Sequence, residues 1–196
     1  AMLRERGLPV SLSIAGSGPE QAALEHLAAR LGLGDAVTFH GLVSDMAAFY
    51  RSIDLLVHPA LREPFGQIAI EANAYGVPAI VSAVDGLVEV VADDVSGLCL
   101  APTEALAVYA ELGGGAEDLP PYVYHPAEDA IDVPRVLAPD RLAEAVAALI
   151  VDRPRYERLS RDGLARVNEQ FDFTHHVRDA LAAISAYLEH GEFDPA

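Results

Sequence analysis

Residues 55–82 read LLVHPALREPFGQIAIEANAYGVPAIVS, and this stretch decides the fold. Two short apolar runs, residues 55–58 and 79–82, are typical of strands buried on both faces, because neither alternates with polar residues. Between them, residues 66–75 have the spacing of one helix, which Gly76 ends. A strand, a helix and a second strand at these lengths predict parallel pairing through a right-handed crossover.

The same alternation extends on both sides of this stretch. It predicts further strands at residues 10–15, 37–40 and 97–100, with helices between them at residues 20–31, 45–52 and 87–91. After residue 138 the pattern is helical, at residues 139–151, 154–170 and onward to about residue 190. We therefore expect an α/β fold, a Rossmann-like doubly wound parallel sheet flanked by helices, with C-terminal helices.

Composition excludes several classes of function. The chain has 196 residues and a formal net charge of −17, which disfavours nucleic acid and electrostatic membrane binding. It contains no lysine, so a Schiff-base lysine or a phosphate-loop lysine is excluded. Its one cysteine, Cys99, predicts no disulfide, a reducing compartment and a buried, inert thiol. No apolar run approaches the roughly 20 residues of a transmembrane segment.

Residues 101–138 interrupt the alternation with a glycine triplet, a proline pair and several acidic residues. A connection of this length is either a functional loop or a local embellishment. We expect a solvated insertion.

The candidate site begins where the helix at residues 66–75 opens. Pro64 disfavours the helical region for the residue before it, so Glu63 is expected in an extended loop. Gly66 allows a ligand to approach the backbone closely. The N–H groups of Gly66, Gln67 and Ile68 are expected to be unpaired and to form an anion site suited to a diphosphate.

Glu71 lies about one turn further along the same helix. A carboxylate accepts two hydroxyl hydrogen bonds, so Glu71 can bind a ribose diol beyond the phosphates. The loop after residues 55–58 and the turn at Gly16 and Gly18 follow parallel strands, and both are expected on the carboxyl rim of the sheet, where ligands bind. On the residues alone, two glutamates eight apart are also compatible with an ordinary surface pair.

Other candidate sites are weaker. The Gly16-x-Gly18 turn lacks the third glycine of a dinucleotide fingerprint. His175 and His176 diverge by about 100° on a helix, so a metal site is not expected there. His58, at a strand end, is expected to support the site rather than to react.

The order strand, GSGP turn, helix, FHG, and then residues 57–100 closely resembles the C-terminal domain of family 4 retaining glycosyltransferases of the GT-B fold. The resemblance is strong over residues 10–100 and weaker through residue 171. It is carried by the two glutamates with seven residues between them, by the Phe-Gly after the first, and by the Glu-Ala followed by Gly-x-Pro.

The resemblance implies a role for each matching residue. Glu63 looks like the catalytic contact to the donor sugar or its leaving diphosphate, and Glu71 looks like the ribose ligand. The remaining donor-binding positions that it implies are Phe65, Gly66, Gln67, Ile68, Leu42, Val43, Gly16, Gly18 and Arg62.

The resemblance also implies an organisation. Residues 1–170 would form the donor-nucleotide-binding domain, lacking the family's first strand–helix unit and its two phosphate-clamping cations, and residues 171–196 a helix crossing to a missing N-terminal acceptor domain. We expect the piece alone to be inactive, with an orphaned apolar face that could self-associate. The full protein is expected in the cytoplasm, peripheral to the inner membrane face.

The function implied is transfer of a sugar from a nucleotide-diphosphate donor to a glycan or lipid acceptor, with retention, as in polysaccharide biosynthesis. Neither a cofactor nor a metal is expected. Two alternatives stay open: a non-hydrolysing nucleotide-sugar epimerase of GT-B fold, and a noncatalytic binding module derived from a glycosyltransferase.

Overall fold

Strands and helices alternate along residues 12–100, as the sequence predicts. A computed structural model describes residues 1–111, 113–115 and 119–191. In chain order the elements are α1 (Met2–Glu5), β1 (Leu12–Ala15), α2 (Gln21–Arg30), β2 (Val37–Gly41), α3 (Met46–Arg51), β3 (Leu56–His58), α4 (Gln67–Ala74), β4 (Ala79–Ser82), α5 (Leu87–Val90), β5 (Gly97–Leu100), α6 (Leu106–Glu111), β6 (Val123–His125), β7 (Ala130–Asp132), α7 (Pro139–Val151), α8 (Arg153–Gln170) and α9 (Phe173–His190).

A parallel sheet in the order β3-β4-β5 forms the centre of the molecule. Every residue of β4 is buried. Val81 packs with Leu87 in one apolar cluster, whereas Ile80 packs with Leu149 and Leu159 in another. Because successive side chains of a strand point to opposite faces, helices cover both faces of this sheet. The predicted flanked parallel α/β fold is confirmed.

The β1 and β2 strands form a second parallel ladder. Among the described residues no ladder joins β2 to β3, so the five parallel strands make two hydrogen-bonded sheets rather than one. The β2 strand instead contacts α3 through side chains, since the His40 ring meets the Phe49 ring edge-on with centroids 5.5 Å apart. Leu12 in β1 is half exposed, which shows how thinly this ladder is covered.

The insertion at residues 101–138 is not a solvated appendage. It contains an antiparallel hairpin of β6 and β7. Val123 is buried in the same apolar cluster as Val81 and Val84, and His125 is buried with its Nε2 3.0 Å from the Val133 carbonyl oxygen. The expectation of a solvated insertion is therefore wrong, because the hairpin contributes side chains to the core.

Helix α8 packs against α4. The Asn73 side-chain amide, which is buried, donates to the Val77 carbonyl at 3.0 Å and to the Ser96 carbonyl at 3.2 Å. A Cβ added at Gly163 of α8 would lie 3.1 Å from Asn73 Oδ1. The Ser160 hydroxyl donates at 2.6 Å to the carbonyl of Gly76, which lies just past the end of α4. These contacts fix the C-terminal end of α4.

Helix α9 buries none of its residues. Its apolar side chains recur at helical spacing and remain exposed, and they are Phe173, Val177, Leu181, Ile184 and Leu188. Within the described part of the chain, no helix is long and apolar enough to cross a membrane.

Candidate functional site

The start of α4 depends on a glycine. Gly66 precedes the first helical residue with φ 94° and ψ 41°, a left-handed conformation. Non-glycine residues rarely adopt it, because their Cβ meets the backbone. A Cβ at Gly66 would also lie 2.5 Å from Leu87 Cδ2. This position therefore requires glycine both for its conformation and for its space.

The Glu63 carboxylate lies over the turn that leads into α4. Its Oε1 accepts from the Gly66 amide at 3.0 Å and from the Phe65 amide at 3.3 Å. Its Oε2 lies 3.3 Å from His58 Nε2. The expectation that the Gly66 amide is unpaired is thus wrong, since the loop's own carboxylate accepts a hydrogen bond from it. His58 lies beside the site, as expected, in contact with its central carboxylate.

Glu63 is held as a carboxylate. Partial burial opposes ionisation, but the hydrogen bonds from the Phe65 amide, the His58 ring and the Gly66 amide outweigh it, and the net pKa of Glu63 lies below its ordinary value. The site therefore presents a fixed negative charge at neutral pH.

The next two amides of α4 remain available. Within the described residues, the backbone N–H groups of Gln67 and Ile68 have no hydrogen-bond partner, and both residues are exposed. The first amides of a helix point along its axis and attract anions. Two donors therefore face outward at the start of α4, beside the carboxylate of Glu63.

Glu71 lies on the same face of α4 as Gln67, because residues four apart on a helix are neighbours. Its Oε2 accepts a hydrogen bond from the Tyr50 hydroxyl at 2.9 Å. Tyr50 is 2% exposed and stacks on Tyr75 with ring centroids 5.7 Å apart. Burial, together with the Glu71 carboxylate, raises the pKa of Tyr50 above its usual range. Tyr50 is thus a permanent donor that orients Glu71.

Tyr50 was not identified from the sequence. It falls among the apolar residues of α3, where an aromatic ring is typical of ordinary core packing. Its partner lies 21 residues away, and no local pattern connects the two.

The other predicted donor contacts are more scattered. Gly16 is held by its amide, which donates to the Gly41 carbonyl at 2.7 Å. Gly18 is exposed, and Leu42 is 85% exposed. Across the described ranges, no hydrogen bond joins these residues or Val43 to Glu63.

Arg62 is exposed, and no ion pair holds it in the part of the chain that the structure describes. It therefore remains a free cation next to Glu63. The structure brings Glu63, Phe65 and Gly66 into one hydrogen-bonded group, while Glu71 is held separately by Tyr50.

The described residues contain no group of three or more His, Cys, Asp or Glu side chains that could hold a metal ion. The absence of a metal requirement stays a prediction. Cys99 is half-buried, and burial, with a smaller effect from Asp93, raises the pKa of its thiol to about 12. That thiol is protonated at neutral pH and therefore unreactive.

Comparison with solved structures shows which known folds this one resembles. Over 90% of this chain, the structure resembles Anabaena Alr3699/HepE in complex with UDP, with a TM-score of 0.66 and 21% identity, across 41% of that protein. It also resembles the C-terminal domain of the glycosyl transferase group 1 family protein LpcC from Francisella tularensis, with a TM-score of 0.60 and 18% identity, over 84% of this chain and 70% of that one. These neighbours share the α/β fold of GT-B glycosyltransferases.

Proteins of similar sequence include glycosyltransferases. An uncharacterized glycosyltransferase of Methanocaldococcus jannaschii is 42% identical over 93 residues, which are 46% of this chain and 24% of the relative. A D-inositol 3-phosphate glycosyltransferase of Streptomyces griseus is 40% identical over 119 residues, which are 59% of this chain and 25% of the relative. The chain thus spans about a quarter of the length of these curated relatives. Residues 1–112 match the family Glycosyl transferases group 1, and the chain belongs to that family.

Proposed function

We propose that this chain is the donor-binding, C-terminal domain of a family 4 retaining glycosyltransferase and that it binds a nucleotide-diphosphate sugar at the start of α4. One observation carries the proposal: the open amides of Gln67 and Ile68 lie on the helix whose Glu71 is held in place by Tyr50. Family membership supplies the reaction class, which is glycosyl transfer.

Each group has a distinct task in this proposal. The amides of Gln67 and Ile68 donate to oxygens of the diphosphate, where the helix dipole adds to the attraction. Glu71 accepts hydrogen bonds from the ribose hydroxyls with the oxygen lone pairs that Tyr50 leaves free. Arg62 lies next to Glu63 in sequence and supplies a positive charge near the leaving group.

Glu63 acts at the sugar end of the donor. As the glycosidic bond breaks, positive charge develops at the anomeric carbon and negative charge on the departing diphosphate. An ionised Glu63 favours the first, while the α4 amides stabilise the second. Fixed dipoles and charges of this kind account for a large share of enzymatic rate enhancement.

The remaining parts of the reaction belong to a longer protein. We propose that residues 1–170 form the donor domain, that residues 171–196 cross to an N-terminal domain, and that this other domain binds a glycan or lipid acceptor. The exposed apolar face of α9 is the surface that such a crossing would cover. The 196-residue chain by itself would bind the donor but would not transfer its sugar. The full protein would work in the cytoplasm at the membrane face, in polysaccharide biosynthesis, without a metal.

Calorimetric titration tests the site directly. UDP and UDP-glucose are the first probes, since the Anabaena neighbour holds UDP, and GDP-mannose and ADP-glucose complete the panel. Glu71→Gln keeps the size of the side chain and removes its charge, and it should weaken binding of the preferred nucleotide about tenfold, as expected for losing a charge-assisted hydrogen bond.

Glu144→Gln is the matched control. It makes the same chemical change on an exposed position of α7, so its affinity should equal that of the unaltered protein. If Glu71→Gln and Glu144→Gln bind the nucleotide equally well, Glu71 has no role as a ribose ligand. If none of the four nucleotides binds the unaltered chain at millimolar concentration, the donor-site proposal fails.

A further inference from the structure

The turn between β4 and α5 touches the Glu63 loop. Asp85 in this turn has φ 46°, a left-handed conformation that aspartate tolerates better than most residues. A Cβ added at the next residue, Gly86, would lie 2.3 Å from the Pro64 carbonyl oxygen. The two segments are therefore in direct backbone contact, with no room for a side chain between them.

The Asp85 carboxylate joins two parts of the chain that are far apart in sequence. Its Oδ2 accepts from the Glu63 amide at 3.2 Å. Its Oδ1 accepts from the Tyr124 amide at 2.9 Å. In addition, the Asp85 amide donates to the Tyr124 carbonyl at 3.0 Å. One residue thus connects the loop that carries Glu63 to the hairpin of the insertion.

The geometry of the hairpin explains why Tyr124 is available. In the register of β6 and β7, Val123 pairs with Asp132 and His125 with Ala130, with Tyr124 between them opposite Ile131. Alternate residues of an antiparallel strand direct their N–H and C=O groups away from the partner strand. The backbone groups of Tyr124 therefore face outward, and Asp85 satisfies both of them.

Burial fixes the hairpin in this position. Val123 lies in the apolar cluster that also contains Val84, the residue before Asp85. Within the hairpin, the Arg135 guanidinium donates to the Asp132 carboxylate at 3.0 Å and also pairs with Glu128. The hairpin is thus a docked, internally braced element.

We propose that Asp85 is a positioning residue through which the insertion hairpin holds Glu63 in its reactive orientation. This proposal rests on the function proposed above for Glu63. Asp85 fixes the Glu63 amide, and the Glu63 side chain then reaches the Phe65 and Gly66 amides and His58. The insertion is accordingly part of the donor site, although among the described residues no hydrogen bond joins the hairpin to Glu63 itself.

Two substitutions of Asp85 remove the two hydrogen bonds of its carboxylate in steps. An aspartate has two acceptor oxygens, whereas an asparagine has one and turns an N–H group toward the other donor. Asp85→Asn therefore keeps one link and breaks one. Asp85→Gly breaks both and tolerates the left-handed φ, so backbone strain does not confuse the result.

Two substitutions at Tyr124 provide the test from the hairpin side. Tyr124→Pro removes the N–H that meets Oδ1 and leaves the Glu63 link intact. Tyr124→Phe is the control, because it removes only the hydroxyl that donates to Asp129 at 2.8 Å and keeps both backbone groups. Amide hydrogen exchange, measured residue by residue with NMR, reports whether each of these hydrogen bonds is intact.

We expect the Glu63 and Gly66 amides to exchange about tenfold faster or more in Asp85→Gly, which loses the hydrogen bond to the Glu63 amide. Tyr124→Pro keeps that hydrogen bond but frees the Asp85 carboxylate from the hairpin, so a smaller rise, of more than about twofold, is expected at the same amides. Tyr124→Phe should leave these rates within about twofold of the unaltered protein. Unchanged exchange at Glu63 in Asp85→Gly and Tyr124→Pro overturns the proposal. An equal acceleration at the β4 amides overturns it as well, because Asp85 would then stabilise the whole fold.

Ligand binding supplies the second readout. Since Glu63 is placed at the sugar, Asp85→Gly, which breaks the hydrogen bond to the Glu63 amide, should weaken UDP-glucose binding several-fold while leaving UDP binding within about twofold. Equal weakening of the two ligands argues against positioning of Glu63. If exchange responds as expected but UDP-glucose does not bind even the unaltered protein, the Asp85 link stands and the proposed function is the part that fails.

Discussion

Replacing Gly66 with alanine tests the local geometry on which the site depends. The residue has φ 94° and ψ 41°, and a Cβ there would lie 2.5 Å from Leu87 Cδ2, well inside the 3.4 Å at which ordinary contact begins. The same Cβ would lie 3.7 Å from Glu63 Cγ. The substitution thus strains the backbone and crowds a buried leucine at the entrance to α4.

The magnitude follows from these two effects. A left-handed non-glycine residue costs about 1–2 kcal/mol. Overpacking against Leu87 costs about 1–3 kcal/mol, and the lower entropy of the unfolded chain returns about 0.4–1 kcal/mol. We expect Gly66→Ala to lower the free energy of unfolding by about 1–5 kcal/mol, which for a chain of this length lowers Tm by about 2–20 °C.

Urea denaturation followed by circular dichroism measures this change. Gly34→Ala is the matched control, because a Cβ at Gly34 meets no atom within 4 Å and its φ is not left-handed. Its free energy of unfolding should stay within about 0.5 kcal/mol of the unaltered protein. A Gly66→Ala protein as stable as the Gly34→Ala protein would refute the requirement for glycine at the start of α4.

Two further predictions concern side chains. Tyr50→Phe keeps the ring but removes the hydroxyl that donates to Glu71, so nucleotide affinity should fall several-fold in calorimetry with little change in Tm; unchanged affinity would show that Glu71 needs no orienting partner. Hydrogen bonds from Arg155 and Arg158 lower the pKa of Asp94 below 3.8, so its stabilising effect is present above that pH and lost as pH falls through the lowered value. Asp94→Asn should therefore flatten the loss of stability between about pH 5 and 2 in acid titration, and parallel curves for the two proteins would contradict this.

Local signals were sufficient for most of the central fold. The apolar run at residues 79–82 predicted β4 with the bounds observed. The sequence allows either Ser44 or Asp45 to cap the next helix after residue 41, and in the structure the cap is Asp45. Its Oδ1 accepts from the Ala48 amide at 2.8 Å. Such features depend on neighbouring residues, whose spacing is visible in the sequence.

The hairpin was missed for a physical reason. Strands β6 and β7 have three residues each, too few for a period to appear. Their stability comes from Val123 entering a core made by distant elements, and a glycine- and proline-rich composition hid that contribution. The same limit applies to the division of the parallel strands into two ladders, because pairing between strands depends on packing across the molecule.

The sequence by itself determined the family, the α/β alternation and the positions of Glu63, Gly66 and Glu71 around one helix start, since these are set by residues close together in the chain. Only the tertiary structure decided how those groups are held. The hydrogen bond from Tyr50 to Glu71 joins residues 21 apart, and the contacts of Asp85 reach 22 residues back to Glu63 and 39 residues forward to Tyr124. Bonds of that span form only when the chain has folded, because side-chain direction depends on the packing around it.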